Sequence, residues 1–313
     1  MGQRDEKNQN YSIEARSDPG AGTAFLTLER GGKRLSTTDH DRDAAGLRYV
    51  YPVLSRRARG LSVGVNLNTN NACNWRCIYC QVPGLIRGSA PPVDLERLER
   101  ELRAFLSQVI HGNYLEQAAP PEMRRLNDVA LSGNGEPTSA RGFDRVVERI
   151  GRVMQEIPVP PQTKLILITN GSLMHRAAVQ RGLARMGELN GEVWFKLDRA
   201  TREGLARVNH AGLGPERVRA NLEIAAGLCP TWIQTCVFLE DGMSPSDGER
   251  AAYLAFLADA LRDGVPLKGV LLYSLARPSM QPEAPRLAPV DDAWGRALAD
   301  DIRRLGLPVE WTP

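Results

Sequence analysis

No apolar run in this 313-residue chain is long enough to span a bilayer, because the longest purely aliphatic stretch, 165–168, falls far short of roughly 20 residues. Residues 1–11 are polar and charged and lack the apolar core of a secretion signal. Glu6 stands where a myristoylation signal beginning at Gly2 needs Ser or Thr. A cytoplasmic protein is the expectation. No cysteine precedes Cys73, and the total of five is odd, which argues against a disulfide framework. Net charge is only +3, too little to indicate a nucleic-acid partner by itself. The arginine pairs Arg56-Arg57, Arg124-Arg125 and Arg303-Arg304 read most simply as solvated helix faces.

The chain that remains is long enough for one large domain or two small ones and has ordinary globular composition. Residues 1–60 read as an N-terminal extension, partly disordered, with a short strand expected near 23–28. From Leu61 a regular alternation begins. Short β-branched or aliphatic runs at 61–67, 128–131, 164–169, 192–197, 232–239 and 269–274 read as buried strands. Helical spacing of apolar residues falls between or after them, at about 94–110, 141–156, 174–187, 215–228, 247–263 and 291–305, with Asp247 a candidate cap. Six strand–helix units imply an α/β fold with a parallel sheet and right-handed crossovers. An open partial barrel over 61–313 and a doubly wound sheet both fit that pattern. In either, functional residues should follow the C-terminal ends of the strands.

The first strand runs into an Asn-rich loop bearing Cys73, Cys77 and Cys80 in a C-x3-C-x2-C spacing. Three thiolates on one tight loop can hold three corners of a cubic iron–sulfur cluster and leave the fourth iron open. Structural zinc needs four closed ligands, and no second Cys or His pair lies at a suitable spacing; His111 and His210 are isolated. Cys229 and Cys236 flank the start of a later strand and read as small core residues.

This triplet, with Tyr79 just before its last cysteine, resembles the signature of the radical S-adenosylmethionine (SAM) superfamily. The resemblance implies a partial (β/α)6 TIM-like barrel and a [4Fe–4S] cluster on Cys73, Cys77 and Cys80. It further implies that SAM chelates the open iron and is cleaved to methionine and a 5′-deoxyadenosyl radical. An external electron donor of flavodoxin or ferredoxin type would supply the electron, and no membrane is involved. The turn Gly133-Asn134-Gly135-Glu136-Pro137 resembles the family's Gly-Gly-Glu-Pro segment, which holds the methionine amino group; Asn134 replaces a glycine. Tyr79, Asn170, Lys196, Asp198 and Gln234 complete the expected cofactor contacts. Lys196 and Asp198 alternate on one strand face, which suits the SAM carboxylate and ribose hydroxyls. Arg277, in a Pro-punctuated loop, can grip a substrate carboxylate or phosphate.

Within the superfamily the chain looks most like the branch of tRNA wyosine-synthesis enzymes and their uncharacterised bacterial relatives. The residues behind that likeness are 134–138, Thr169-Asn-Gly-Ser172, Lys196-Leu-Asp198, Val208-Asn-His210 and Ala276-Arg-Pro-Ser279. Archaeal wyosine enzymes hold a second cluster on upstream cysteines; here a single cluster is expected. Two substrate classes stay open: a tRNA nucleoside, and a small metabolite or peptide, including activation of a partner enzyme through a glycyl radical.

Overall fold

The computed structural model describes residues 15–16, 25–26, 35, 45–55 and 60–313. Nine strands form its main sheet: β1 (Val50–Ser55), β2 (Gly60–Val65), β3 (Leu126–Leu131), β4 (Lys164–Thr169), β5 (Gly191–Lys196), β6 (Thr231–Glu240), β7 (Leu267–Ser274), β8 (Leu287–Pro289) and β9 (Val309–Thr312). Their lateral order is β1-β2-β3-β4-β5-β6-β7-β9, with β8 paired to β6. Pairing from β2 through β9 along that order is parallel, whereas β1 runs antiparallel to β2 and β8 antiparallel to β6. The sheet curls into a half-barrel, the open partial barrel rather than the doubly wound alternative. Among the described residues no strand closes the gap between edges β1 and β9.

Helices α1 (Leu95–Ile110), α2 (Phe143–Glu156), α3 (Ala177–Glu188), α4 (Arg202–Asn209), α5 (Pro215–Leu228), α6 (Asp247–Arg262) and α7 (Asp292–Arg304) connect or follow the strands. Their apolar stripes explain where they sit. On α2, Phe143, Val146, Val147, Ile150, Val153 and Met154 are buried at helical spacing. Each such side chain contributes roughly 1.5–3 kcal/mol relative to exposure. The strands answer with every second residue: Val63 and Val65 of β2, and Val129 and Leu131 of β3, belong to the same apolar core. Asp94 starts α1 by accepting the Arg97 amide at 2.9 Å.

The alternating pattern in the sequence corresponds to β2–β7, and three features differ. Strand β1 lies inside what the sequence assigns to the extension; its Pro52 weakens a strand pattern but suits an edge. Strand β9 and helix α4 are short and only part-buried, so periodicity does not reveal them. Ser246, not Asp247, caps α6: its hydroxyl accepts the Glu249 amide at 3.3 Å, while Asp247 occupies the first turn. Of the strand expected near 23–28, Phe25–Leu26 pairs antiparallel with Ala15–Arg16. The rest of that strand, and most of residues 1–22, lie outside the described residues.

Candidate active site

The other strand face looks into the half-barrel. Tyr51 of β1, Gly64 of β2 and Ala130 of β3 point there, into a cavity of about 380 Å³. Gly64 stands opposite Tyr51 in the register, and a Cβ on it would lie 2.2 Å from the Tyr51 ring. The glycine is therefore what lets the tyrosine reach across β2 to meet Ser132 at 2.8 Å.

At the C-terminal ends of the strands the cysteine loop forms one wall of this cavity; Cys73, Cys77 and Cys80 all line it. Asparagines shape the loop by replacing secondary-structure partners with their own amides. The Asn66 carboxamide oxygen accepts the Asn68 amide at 3.0 Å and the Asn134 amide at 3.1 Å. Asn68 Nδ2 donates to the Ala72 carbonyl at 2.8 Å. Asn74 joins the loop to the end of β4, donating to Ser172 Oγ at 2.7 Å and accepting from Asn170 Nδ2 at 2.8 Å.

The loop is also clamped from the far end of the chain. Ser279 Oγ donates to the Ile78 carbonyl at 2.7 Å, and Gln281 Nε2 to the Val82 carbonyl at 3.0 Å. Arg76 forks onto Glu283 at 2.7 and 3.1 Å. His210 Nδ1 lies 2.7 Å from the Arg76 carbonyl and donates to it, which leaves Nε2 to accept Arg76 Nη2 at 3.0 Å.

Burial pushes the Cys73 thiol up to about 11 and the Cys77 thiol up to about 12, so each stays protonated until a metal centre offsets the loss of solvation. Among the described residues no three His, Cys, Asp or Glu side chains gather tightly enough to hold a single metal ion. Three thiolates that each bind a different iron of one cluster stand farther apart than ligands of one ion. The donor set, three thiols of one loop on one cavity wall, thus suits a cluster better than zinc.

The glycine turn after β3 lies beside the loop. Gly133 has φ +134°, and a Cβ there would fall 2.5 Å from Asn66 Oδ1. Asn134, where the family has glycine, has no left-handed backbone, so a side chain is accommodated. Its Nδ2 donates to Asn71 Oδ1 at 2.6 Å. Gly133, Asn134, Gly135 and Glu136 line the cavity, whereas Pro137 is buried behind it. The Glu136 carboxylate is already occupied: it accepts Thr138 N and Oγ1, Thr169 Oγ1 at 2.7 Å and Asn170 N at 2.7 Å. It fastens the turn after β3 to the turn after β4. Burial raises its pKa despite those donors.

Asn170, Lys196 and Gln234 also line the cavity. Lys196 Nζ sits 5.1 Å from the Tyr79 ring centre, 6.0 Å from that of Tyr273, and 3.4 Å from Tyr273 Oη. Burial opposes its charge, yet the Tyr273 hydroxyl, Asp198 and neighbouring thiols hold its pKa above the ordinary lysine range. Asp198 does not line the cavity; it stands behind the wall, only 3% exposed. Its carboxylate accepts Tyr79 Oη at 2.5 Å, Asn209 Nδ2 at 2.7 Å and the Cys236 amide at 2.9 Å. Cys229 and Cys236 are fully buried, and burial raises both thiols; Cys236 packs with Ile78, Tyr79, Val208 and Phe238. Arg277 also lines the cavity. Composition alone gave no sign of Ser279, Gln281 or Asn74 as scaffolding, because their partners are remote in sequence.

A radical SAM superfamily model matches residues 67–245, more than half of the chain. The protein belongs to that superfamily and is an enzyme, and enzymes of the superfamily use a [4Fe–4S] cluster, SAM and an external reductant. Among curated proteins it is similar to the UPF0026 protein slr1464 of Synechocystis sp., 25% identical over 56% of this chain and 58% of that one. A protein named GTPase Obg from Brachyspira hyodysenteriae is 28% identical over 42% of this chain and 17% of its own length. The chain thus spans less than two thirds of either relative. A radical SAM methyltransferase from Sphaerobacter thermophilus shares the fold, with TM-score 0.54 at 12% identity over 84% of this chain and 68% of that one. Among the described residues no helix is long and apolar enough to cross a membrane.

Proposed function

We propose that Cys73, Cys77 and Cys80 hold the cluster and that SAM lies between it and the turn Gly133–Glu136, within reach of Asn170, Lys196 and Gln234. When bound, the cluster supplies one electron to split SAM into methionine and a 5′-deoxyadenosyl radical, which takes hydrogen from a substrate inside the half-barrel. What carries this reading is the convergence of three thiols, a glycine turn and a lysine on one cavity. Lys196 presents the positive charge that a SAM carboxylate needs, held between Tyr79 and Tyr273. Tyr79 contributes its ring to the wall while Asp198 fixes its hydroxyl. Asn209 donates to Cys77 Sγ at 3.2 Å. The apolar group Ile78, Tyr79, Val208 and Phe238 keeps water from that side. The catalytic unit spans about 61–313 together with β1. Five free thiols suit a reducing cytoplasm and an electron donor of flavodoxin or ferredoxin type.

The test is anaerobic reconstitution with SAM and dithionite. Iron content, the visible spectrum and 5′-deoxyadenosine are expected in wild type and lost in Cys77→Ala. A Cys77→Ala protein that still cleaves SAM sinks the assignment. For the substrate, likeness to the wyosine branch supports a tRNA nucleoside. RNA retention in a gel shift at low salt is the expected result, and its absence counts against it. A small metabolite or a peptide is the second reading, favoured by one observation: a buried carboxylate, Asp128, on the enclosed floor of the cavity.

A further inference from the structure

Polar side chains also line the cavity far from the cysteine loop. Ser55, Ser62 and Asp128, from β1, β2 and β3, form its floor. Strand geometry sets Asp128 about 13 Å below Ser132, where the glycine turn begins. Ser62 and Asp128 are register partners on neighbouring strands, and the Ser62 hydroxyl donates to Asp128 Oδ1.

Asp128 differs from the other buried carboxylates around this cavity. Glu136 receives four hydrogen bonds and Asp198 three. Asp128 is just 7% exposed and receives one; its register neighbour on β4, Lys164, turns its ammonium to Asn190 at 2.8 Å and Glu192 at 3.3 Å, and no ion pair reaches Asp128 among the described residues. A buried carboxylate with no ion-pair partner among the described residues is costly to keep, and a single hydroxyl does not satisfy its acceptor sites. The remaining oxygen belongs to a residue lining the cavity, so a group arriving through the open barrel can reach it.

We propose that the floor is the substrate's anchoring site and that Asp128 selects a cationic nitrogen group: an ammonium, amidinium or guanidinium. This rests on the radical SAM reading above, since the anchor matters by presenting the substrate between the floor and the cysteine loop. Asp128 acts on binding, away from SAM cleavage. A substrate presenting only neutral donors forfeits the charge-assisted bond.

Benzylammonium, benzamidinium and neutral benzyl alcohol serve as probes on the reconstituted, SAM-bound protein, with binding read by saturation-transfer NMR. Both cations should bind at least about tenfold more tightly than the alcohol, and Asp128→Asn should abolish the difference. Asp128→Asn should take up iron and show the visible spectrum of wild type on reconstitution, which shows that the variant is folded. Equal binding of cations and alcohol to wild type overturns the proposal without any variant, and so does a preference that survives Asp128→Asn. A wild type that makes no 5′-deoxyadenosine refutes the radical reading instead, while the binding comparison still judges the floor.

Discussion

Asn209 divides the two hydrogens of one side-chain amide between Cys77 Sγ, at 3.2 Å, and Asp198 Oδ2, at 2.7 Å. Both acceptors fix the amide orientation, since a flipped oxygen would face a sulfur and a carboxylate at once. The residue closes α4, and its carbonyl accepts the Arg76 amide at 3.1 Å. It therefore ties the helix, the loop and the carboxylate that follows β5 together.

Replacing Asn209 with Ala should remove both bonds and leave Asp198 short of a donor, at a cost of about 1–3 kcal/mol in urea unfolding of the cluster-free protein. In the reconstituted protein the cluster's reduction potential should move negative, because an N–H donor to sulfur favours the more negatively charged reduced state. An EPR-monitored redox titration reads the shift. An unchanged potential would show that the bond to Cys77 does not tune the cluster.

Stability should depend on pH through Asp128. Burial raises its pKa to about 6, with the Ser62 hydrogen bond pulling the other way. The unfolded chain returns to the ordinary aspartate range near 4. Between those values the folded state binds more protons, so the contribution is complete below about pH 4 and disappears as pH climbs through 6. The loss amounts to about 3 kcal/mol. Asp128→Asn should flatten that part of the pH profile in chemical denaturation; an identical slope in wild type and variant refutes it.

Gly64→Ala should destabilise the fold by about 1–3 kcal/mol, because its Cβ would meet the Tyr51 ring at 2.2 Å. Adding Tyr51→Ala makes room, so the double mutant should be less unstable than the two single costs sum to. Simple additivity in thermal melts is the result that contradicts this.

Ser279→Ala and Gln281→Ala each remove a clamp on the carbonyls of the cysteine loop. The loop lies outside the sheet, so each melting temperature should change little. The combined variant should release iron to a chelator faster than wild type. Matching release rates would show that the Ser279 and Gln281 clamps do not hold the loop.

The sequence by itself determined the six central strands, their helices and the cysteine triplet. Continuous apolar runs such as 165–168 and stripes such as that of α2 are set by local periodicity. The edges were not legible in the same way: β1 carries Pro52, and β9 has four residues with no fully buried position. Only the tertiary structure decided what the polar residues do. Ser62 and Asp128 look like interruptions of buried strands until the curl of the sheet turns both toward one cavity. Glu136 and Asp198 look like free site carboxylates until the strand-end turns close on them and occupy their oxygens. The cysteine loop draws its shape from Ser172, Asn209, Ser279 and Gln281, which lie about 90 to 200 residues downstream. A hydrogen bond at that separation leaves no periodic trace in the chain, because it exists only once the half-barrel has brought both ends together.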